Sequence, residues 1–187
     1  MKQPSFNIER EGQRAERKLL VTVAEWYATE GTGTTPQRQR EILGTRTEDS
    51  SIDYNADIQQ STDIRGNNYT DVNKTQPQQD FDPYLVLGGS KLGAFLNDIR
   101  SRNALSELDQ FTIYIITMFV DGTGAGTYQA ERHTDCTIVY NSIGGDANVN
   151  FPISVYLSNK IARGYVNKNS AGGISENFNF TPDLTLY

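Results

Sequence analysis

The sequence predicts a mainly β protein with one α-helix and polar terminal arms. Two stretches, 51–64 and 146–157, alternate apolar and polar residues, which is typical of strands because successive side chains point to opposite faces. Residues 111–120 form an apolar run of strand length, and residues 91–108 place apolar side chains at helical spacing. The 187 residues are enough for a domain with a buried core.

In chain order, the first half is predicted to contain an arm followed by polar strands. Residues 1–16 are polar and mixed in charge, which is typical of an arm, and the apolar-rich segment 17–28 predicts the first strand. A turn at 31–36 leads into residues 37–76, which predict a polar β-meander that ends before Pro77. Its members are a polar strand or ribbon at 37–50, a long strand at 51–64, a turn at 65–68 and a strand at 69–76.

The second half is predicted to hold the helix and the buried strands. Ser90 is placed to act as the N-cap of a helix over 91–108. Strands are predicted at 111–120, 128–140, 146–157 and 161–166, with a glycine-rich hairpin turn at 121–126. Residues 167–187 form a polar C-terminal tail in which Phe178 and Phe180 could dock on another surface, which the sequence does not identify.

Composition and charge limit the functions that the chain could serve. The net charge is −6, and residues 51–90 alone carry six aspartates against one arginine and one lysine. Such a surface binds nucleic-acid phosphates poorly, since phosphate contacts need lysine and arginine, but a nucleic acid could slide past it. From charge alone, an ordinary solubilising surface is the simpler interpretation.

The single cysteine, Cys136, excludes an intrachain disulfide and gives no sign of an oxidising compartment. Residues 1–18 lack the apolar core of a signal peptide, and no run is long enough to span a membrane. We therefore expect a chain that is made in the cytosol, does not insert into a membrane, and forms one domain over 17–166 between two arms.

The long strand predicted at 51–64 has two different faces. Its even positions include Ile52, Tyr54, Ala56, Ile58 and Ile64, whereas its odd positions are Asp53, Asn55, Asp57, Gln59, Ser61 and Asp63. The alternation therefore predicts one mostly apolar face and one wholly polar, acidic face that meets water. The strand predicted at 146–157 alternates in the same way, with Asp146, Asn148 and Asn150 on its polar side.

Neither of the two glycine motifs predicts a nucleotide site. Gly122, Gly124 and Gly126 form a G-x-G-x-G pattern between two predicted strands, whereas a dinucleotide site needs such glycines between a strand and a helix. Residues 88–91 open a helix but lack the Walker spacing. Both motifs are therefore predicted to be turns.

No group of residues predicts catalysis or metal binding. His133 and Cys136 are the only histidine and the only cysteine, whereas a zinc site needs about four ligands of that kind. Residues three apart on a strand point to opposite faces, so the two also make a poor nucleophile–base pair. The acidic residues of 53–63 are spaced along one face and do not form a glycosidase-like pair. We therefore expect no catalytic residue, no metal and no cofactor.

Seven segments carry a family resemblance. They are 62–66 (TDIRG), 70–77 (TDVNKTQP), 81–83 (FDP), 87–93 (LGGSKLG), 110–117 (QFTIYIIT), 142–146 (SIGGD) and 155–161 (VYLSNKI). Together they resemble bacteriophage tail tube proteins, also called major tail proteins. The resemblance extends over roughly residues 50–166 and consists of turns, strand lengths and one helix, with no chemical signature.

The resemblance implies an antiparallel β-sandwich or rolled β-barrel with one flanking α-helix and extended terminal arms. Subunits of that family form rings, usually hexameric, that stack into a hollow tube, and arms and a long loop or hairpin bind the neighbours. The implied partners are other copies of the chain, the tape measure protein, and the tail terminator and tail-tip or baseplate proteins. DNA would pass through the lumen without specific binding. The implied location is the tail of the virion, after synthesis in the host bacterial cytoplasm.

On this resemblance, the polar face of 51–64 would line the lumen of the tube. The lumen-facing candidates are Asp53, Asn55, Asp57, Gln59 and Asp63, and the second candidates are Asp146, Asn148 and Asn150. Whether 37–50 is a lumen strand or a ring-to-ring hairpin stays open. Two other functions also stay open. One is a tube subunit of a phage-derived contractile particle or secretion apparatus. The other is a receptor- or carbohydrate-binding β-sandwich, which would need exposed aromatic residues, whereas the polar face of 51–64 has only aspartate, asparagine, glutamine and serine.

Overall fold

The computed structural model describes residues 14–29, 35–45, 47, 50–146 and 148–183. One α-helix, α1, spans Lys91–Arg102, and short 3-10 turns lie at Arg17–Leu19 and Leu105–Glu107. The strands are β1 (Leu20–Ala28), β2 (Gln37–Ile42), β3 (Ile52–Asp53), β4 (Asp57–Thr62), β5 (Asn68–Lys74), β6 (Gln78–Phe81), β7 (Phe111–Asp121), β8 (Thr127–Tyr140), β9 (Ile153–Tyr156), β10 (Ile161–Asn167) and β11 (Phe180–Pro182). The predicted fold class, mainly β with antiparallel pairing and one helix, is confirmed.

The long strand β8 organises the main sheet. One edge of β8 pairs with β7, which is followed across the sheet by β1 and then β2. The other edge is shared, because the first half of β8 pairs with β10 and then β11, whereas its second half pairs with β9, β6 and β3. A bulge marks the change, with Asp135 in the left-handed region and a register shift against β7. The arrangement is that of a β-sandwich with one helix, and the described strands do not close into a barrel.

The apolar core lies on both faces of the central strands. On one face, Leu92, Leu96 and Ile99 of α1 pack with Trp26 of β1 and Phe111 of β7. On the other face, a second cluster contains Val23, Tyr114, Ile116, Tyr128 and Phe178. Neighbouring residues of β1 contribute to different clusters, as strand alternation requires. The central strands therefore have both faces covered.

Helix α1 begins where the sequence predicts and ends earlier. The Ser90 hydroxyl accepts a hydrogen bond from the Gly93 amide at 3.1 Å, which confirms the predicted N-cap. The helix ends at Arg102 because Asn103 takes a left-handed conformation. The prediction that it continues to residue 108 is wrong, since Leu105 lies exposed in a short 3-10 turn and Leu108 follows that turn into the core.

The strands predicted around the glycine-rich turn are confirmed. The apolar run 111–120 lies in β7, 128–140 in β8 and 161–166 in β10. The turn between β7 and β8 requires glycine, because a Cβ on Gly122 would lie 2.4 Å from Thr127 Oγ1. The first strand begins at Leu20, three residues later than predicted, and the strand predicted at 69–76 lies largely within β5.

The prediction of one long strand at 51–64 is wrong. Two separate strands, β3 and β4, occupy this stretch and belong to different sheets. The strand conformation is interrupted at Asn55, which takes a left-handed conformation with φ of 43°. The β-meander predicted over 37–76 is also wrong, because β2 pairs with β1 and β3 pairs with β6, and only β4 and β5 pair with each other.

The prediction of a second long strand with two different faces, at 146–157, is wrong as well. Among the described residues of this stretch, only Ile153–Tyr156 form a strand, β9. Asp146 and Asn148 lie in a bend after two glycines with positive φ, Gly144 and Gly145. Pro152, which has no amide hydrogen to donate, directly precedes the strand.

The two aromatic residues of the C-terminal tail dock, as predicted, and the surface that receives them is the chain's own domain. Phe178 is buried, and Phe180 begins β11, which pairs with β10. The rings of Phe178 and Phe180 meet the ring of Tyr114 edge-on, at centroid distances of 5.0 and 5.7 Å. Residues 1–13 of the predicted N-terminal arm and residues 184–187 of the tail lie outside the described residues.

Candidate assembly surface

Strands β4 and β5 form a hairpin that stands apart from the main sheet. Among the described strands they pair only with each other, in a register that sets Gln59 opposite Asp71 and Gln60 opposite Thr70. Every side chain of β4 is exposed to solvent. An isolated two-stranded hairpin is marginally stable in water, so this segment is the part of the described chain that most needs a further contact.

The tip of the hairpin is held by Asp63. One carboxylate oxygen of Asp63 accepts hydrogen bonds from the amides of Arg65 at 2.8 Å and Asn67 at 2.9 Å, and the other accepts from the Asn67 side chain at 3.0 Å. These hydrogen bonds, with that from the Asn67 amide first, hold the pKa of Asp63 below its ordinary value. Gly66 supplies the positive φ of the turn. The Asp63 carboxylate therefore organises the turn.

The base of the hairpin is a narrow neck where the chain leaves the main sheet. The Gln76 amide donates to the carbonyl of Tyr54 at 3.0 Å, and the Asn55 side chain donates to the carbonyl of Gln76 at 3.1 Å. Directly below the neck, Asp53 of β3 pairs with Gln78 of β6. The hairpin is thus anchored at one end of the β3–β6 ladder.

Four large apolar or aromatic side chains on the hairpin and its neck are exposed. They are Tyr54, Ile58, Ile64 and Tyr69, with Ile64 at the tip fully exposed. Ile58 and Tyr69 retain 57% and 49% of their accessible surface. Such a concentration of exposed apolar residues is typical of a surface that another molecule covers. Tyr69 lies opposite Ser61, so the face that the sequence predicts as wholly polar also carries an aromatic ring.

The five lumen-facing candidates do not lie on one continuous strand face. Asp53 belongs to β3 of the main sheet, and Asn55 lies in the neck. Asp57 and Gln59 lie on β4, separated by a register shift between residues 57 and 58, and Asp63 closes the turn. All are exposed except Asp63, which is half-buried. The prediction that these five residues share one face depends on an unbroken strand, and the interruption of the strand at Asn55 removes the basis for that prediction.

The second set of candidates lies in the loop before β9. Asp146 and Asn148 are exposed. The Asn150 side chain instead cross-links two segments, since it donates to a carboxylate oxygen of Asp82 at 3.1 Å and accepts from the Tyr84 amide at 2.8 Å. Asn150 therefore has a structural role within the chain.

Two acidic residues outside the predicted sites, half-buried Glu41 and buried Glu25, hold the fold together. Glu41 on β2 caps α1 from outside the helix: one oxygen accepts from the amides of Lys91 at 2.7 Å and Leu92 at 2.9 Å, and the other from the Tyr84 hydroxyl at 2.7 Å. A carboxylate at a helix N-terminus is stabilised by the helix dipole. Burial raises the pKa of Tyr84 above its ordinary value, and the hydrogen bond to Glu41 adds to this effect. Nothing in the local sequence connects Glu41 to a helix fifty residues away.

The second of these acidic residues, Glu25, forms a buried ion pair with Arg40. The Arg40 Nε lies 2.5 Å from a Glu25 carboxylate oxygen. The same guanidinium donates to the carbonyl of Phe178 at 2.6 Å and lies 4.2 Å from the centroid of the Phe178 ring. The Tyr114 hydroxyl donates to Glu25 at 3.3 Å. Arg40 thereby clamps the C-terminal tail onto the sheet.

His133 and Cys136 are both buried near the β8 bulge, where His133 Nδ1 lies 2.9 Å from the carbonyl oxygen of Ser158. Burial raises the pKa of the Cys136 thiol. Within the described ranges, no cluster of three or more histidine, cysteine or acidic side chains could hold a metal ion. The one α-helix described is too short and too polar to cross a membrane. No model of a known protein family matches the sequence, and no curated protein matches it.

Proposed function

We propose that this protein is the structural subunit of a phage tail tube. Copies of the chain assemble into rings, for which the resemblance implies six subunits, and the rings stack into a tube that conducts DNA during genome ejection. The observation that carries the proposal is the β4–β5 hairpin, which stands apart from its own domain and exposes Tyr54, Ile58, Ile64 and Tyr69. The antiparallel β-sandwich with one helix agrees with the fold that the resemblance implies.

The energetics of the hairpin favour a second chain as its partner. Complete burial of an apolar side chain stabilises by about 1.5–3 kcal/mol. Ile58 still exposes 57% of its surface, so covering it would contribute roughly 1 kcal/mol, and four such residues would contribute roughly 4 kcal/mol in all. A gain of that size, repeated at every copy, is enough to order a marginal hairpin in an assembly.

The acidic residues at the base of the hairpin fit a lumen that repels phosphate. Asp53 and Asp57 are exposed on either side of the neck, and we retain them as the principal lumen-facing residues, with Asn55 and Gln59 beside them. Asp63 contributes charge, although its carboxylate also closes the turn. Repeated around a ring, these carboxylates would let DNA slide without specific binding. The partners are then the tape measure, tail terminator and tail-tip or baseplate proteins, in the tail of the virion.

Assembly of the purified full chain tests the proposal. We expect negative-stain microscopy to show rings or tubes of uniform bore at increasing concentration, with the tail-tip complex added as initiator where the protein alone stays monomeric. The double substitution Ile58→Ser and Tyr69→Ser should raise the critical concentration by about tenfold, the factor that corresponds to a loss of about 1.4 kcal/mol of contact free energy per copy. Leu105→Ser, which removes an exposed apolar residue outside the hairpin, is the matched control. A chain that stays monomeric under all of these conditions would contradict the proposal.

One observation favours a second candidate, a receptor- or carbohydrate-binding module. Tyr69 is exposed and lies opposite Ser61 on the hairpin, and ligand sites combine aromatic side chains with a few polar groups that fix orientation. A glycan array would test this function directly. Binding that Tyr69→Ala abolishes, by a protein that does not assemble, would favour the module over the tube.

A further inference from the structure

The only histidine of the chain lies buried at the point where β8 changes its pairing partner. His133 retains 3% of its accessible surface and lies just before the bulge at Asp135. Its cross-strand neighbours, Ile113 of β7 and Ile161 of β10, carry no charge. Beyond the bulge β8 pairs with β9 instead of β10, and residues 157–160 connect those two strands. His133 therefore lies beside the turn that joins the two parts of the main sheet.

One nitrogen of the imidazole is held by this turn and the other is left open. His133 Nδ1 lies 2.9 Å from the carbonyl oxygen of Ser158. A carbonyl oxygen only accepts, so Nδ1 carries the hydrogen, and in the neutral ring Nε2 then holds a lone pair. Nε2 is buried and has no hydrogen-bond partner among the described residues. A buried polar atom without a partner costs free energy, so Nε2 is the atom at which the ring gains most from a new contact.

The carboxylate of Glu131 faces the open nitrogen. One of its oxygens lies 3.8 Å from His133 Nε2, which is too far for a hydrogen bond but close enough for an opposite charge to favour protonation of the ring. The other oxygen accepts from Arg163 Nε at 3.2 Å. Contact with His133 first, and with Arg163 next, holds the pKa of the Glu131 carboxyl below its ordinary value against the opposing effect of burial. An ionised carboxylate therefore lies within about 1 Å of hydrogen-bond distance from Nε2.

The other titratable groups near the imidazole are paired, neutral or on the opposite face of the strand. Lys160 in the turn pairs with Asp135. Cys136 stays a thiol, because burial raises its pKa. Arg132 precedes His133 on β8 and points to the opposite face. Of the groups described around the ring, this leaves Glu131 as the charge that faces Nε2.

We propose that His133 is a proton-operated latch between β8 and the turn at 157–160. When the ring takes a proton from water at Nε2, the imidazolium donates to the Ser158 carbonyl through Nδ1 and to the Glu131 carboxylate through Nε2. When that proton returns to water, only the contact with Ser158 remains. Proton uptake thereby ties the turn to β8 and, through Glu131 and Arg163, to β10. The latch works within a single copy and does not depend on the proposed function.

NMR of the full chain tests the latch, because a single histidine gives imidazole signals that need no separate assignment. At high pH we expect the nitrogen-15 shifts to show the hydrogen on Nδ1. Glu131→Gln should lower the pH midpoint of these signals by about one unit, since an opposite charge within about 4–6 Å favours the charged form by about 1–3 units. Arg163→Gln should raise the midpoint, because it removes the cation that shares Glu131.

Asp135→Asn is the matched control. It also replaces a carboxylate by an amide on β8, but that carboxylate pairs with Lys160, and asparagine tolerates the left-handed conformation of this position. The midpoint should move by less than about 0.3 unit, as for an exposed pair. A neutral ring with its hydrogen on Nε2, a ring that stays neutral wherever the protein is folded, or an equal midpoint in Glu131→Gln would overturn the proposal.

Amide hydrogen exchange shows whether the proton acts on the turn. The Thr134 amide donates to the Lys160 carbonyl at 3.2 Å, and the Lys160 amide donates to the Ser158 hydroxyl at 3.1 Å. After correction for intrinsic rates, we expect the protection of both amides to rise roughly tenfold as the pH falls through the midpoint, the lower end of what a hydrogen bond to a charged group contributes. In Glu131→Gln this rise should disappear. Protection in the wild-type chain that does not follow the His133 signals would overturn the latch, whatever the assembly experiments show.

Discussion

Replacing Arg40 by methionine should lower the free energy of unfolding by about 3 kcal/mol. The side chains of Arg40 and Glu25 retain only 7% and 10% of their accessible surface. Removing one partner of a buried pair costs about 3–5 kcal/mol, because it leaves the other charge buried without compensation. The lower end applies, since Tyr114 still donates to Glu25 and methionine retains part of the packing against Phe178.

The loss should be visible in both global and local measurements. For a chain of this length, about 3 kcal/mol corresponds to a fall in the melting temperature of roughly 6–12 °C. Urea unfolding gives the free energy, and hydrogen exchange at the amides that join β10 and β11 reports on the tail. Those amides should exchange faster in Arg40→Met, because Arg40 holds the carbonyl of Phe178.

Two further variants separate the ion pair from simple packing. The double variant Glu25→Leu with Arg40→Met should recover most of the loss, since apolar side chains of similar size often replace a buried pair at little cost. Arg100→Met, on the exposed side of α1, should change the free energy of unfolding by less than about 0.5 kcal/mol. A loss below about 1 kcal/mol in Arg40→Met, or a double variant no better than the single one, would refute the reasoning.

Three further predictions concern the tail, the turn and the thiol. Gly164→Ala should detach β11 and cost about 1–3 kcal/mol in urea unfolding, because its Cβ would lie 2.2 Å from a β11 carbonyl oxygen, whereas Gly88→Ala, with open space around it, should not. The lowered pKa of Asp63 means that its contribution to the hairpin turn is present above its ordinary pKa of about 3.9 and is lost as the pH falls through the lowered value. NMR should show the turn amides titrating below that pH, and a midpoint above it would contradict the assignment. Cys136, buried and with a raised pKa, should react with a thiol reagent at pH 8 only on unfolding, and rapid reaction of the folded protein would count against its burial.

Local sequence signals predicted two kinds of element: those that depend on residues close together in the chain, and those that form a continuous apolar run. The apolar run of β7, the glycine turn after it and the N-cap at Ser90 each depend on residues close together in the chain. The end of α1 was missed because apolar spacing continues past Asn103, although the backbone there turns left-handed and ends the helix. Periodicity indicates which residues could face a core, and the termination signal decided where the helix stops.

Long-range contacts could not be predicted from residue patterns. Glu41 caps a helix fifty positions later, and Arg40 clamps a tail that lies more than a hundred residues away. In sequence both are simply charged residues on a polar strand. The break at Asn55 was missed for a related reason, since alternation on both sides of it is compatible with one strand or with two strands in different sheets.

The wrong prediction of one strand at 51–64 raises the question of what the apolar residues of this stretch contact. Along β4, Ile58 is the only apolar residue, and more than half of its surface is exposed. Exposed apolar residues in an otherwise polar hairpin cost solubility and contribute nothing to the fold of a single copy. On the proposed assembly, their stabilising contacts come from a neighbouring copy. The alternation of apolar and polar residues at 51–64 then reflects burial between chains. A single chain for this reason shows the alternating pattern but no core that covers its apolar side chains.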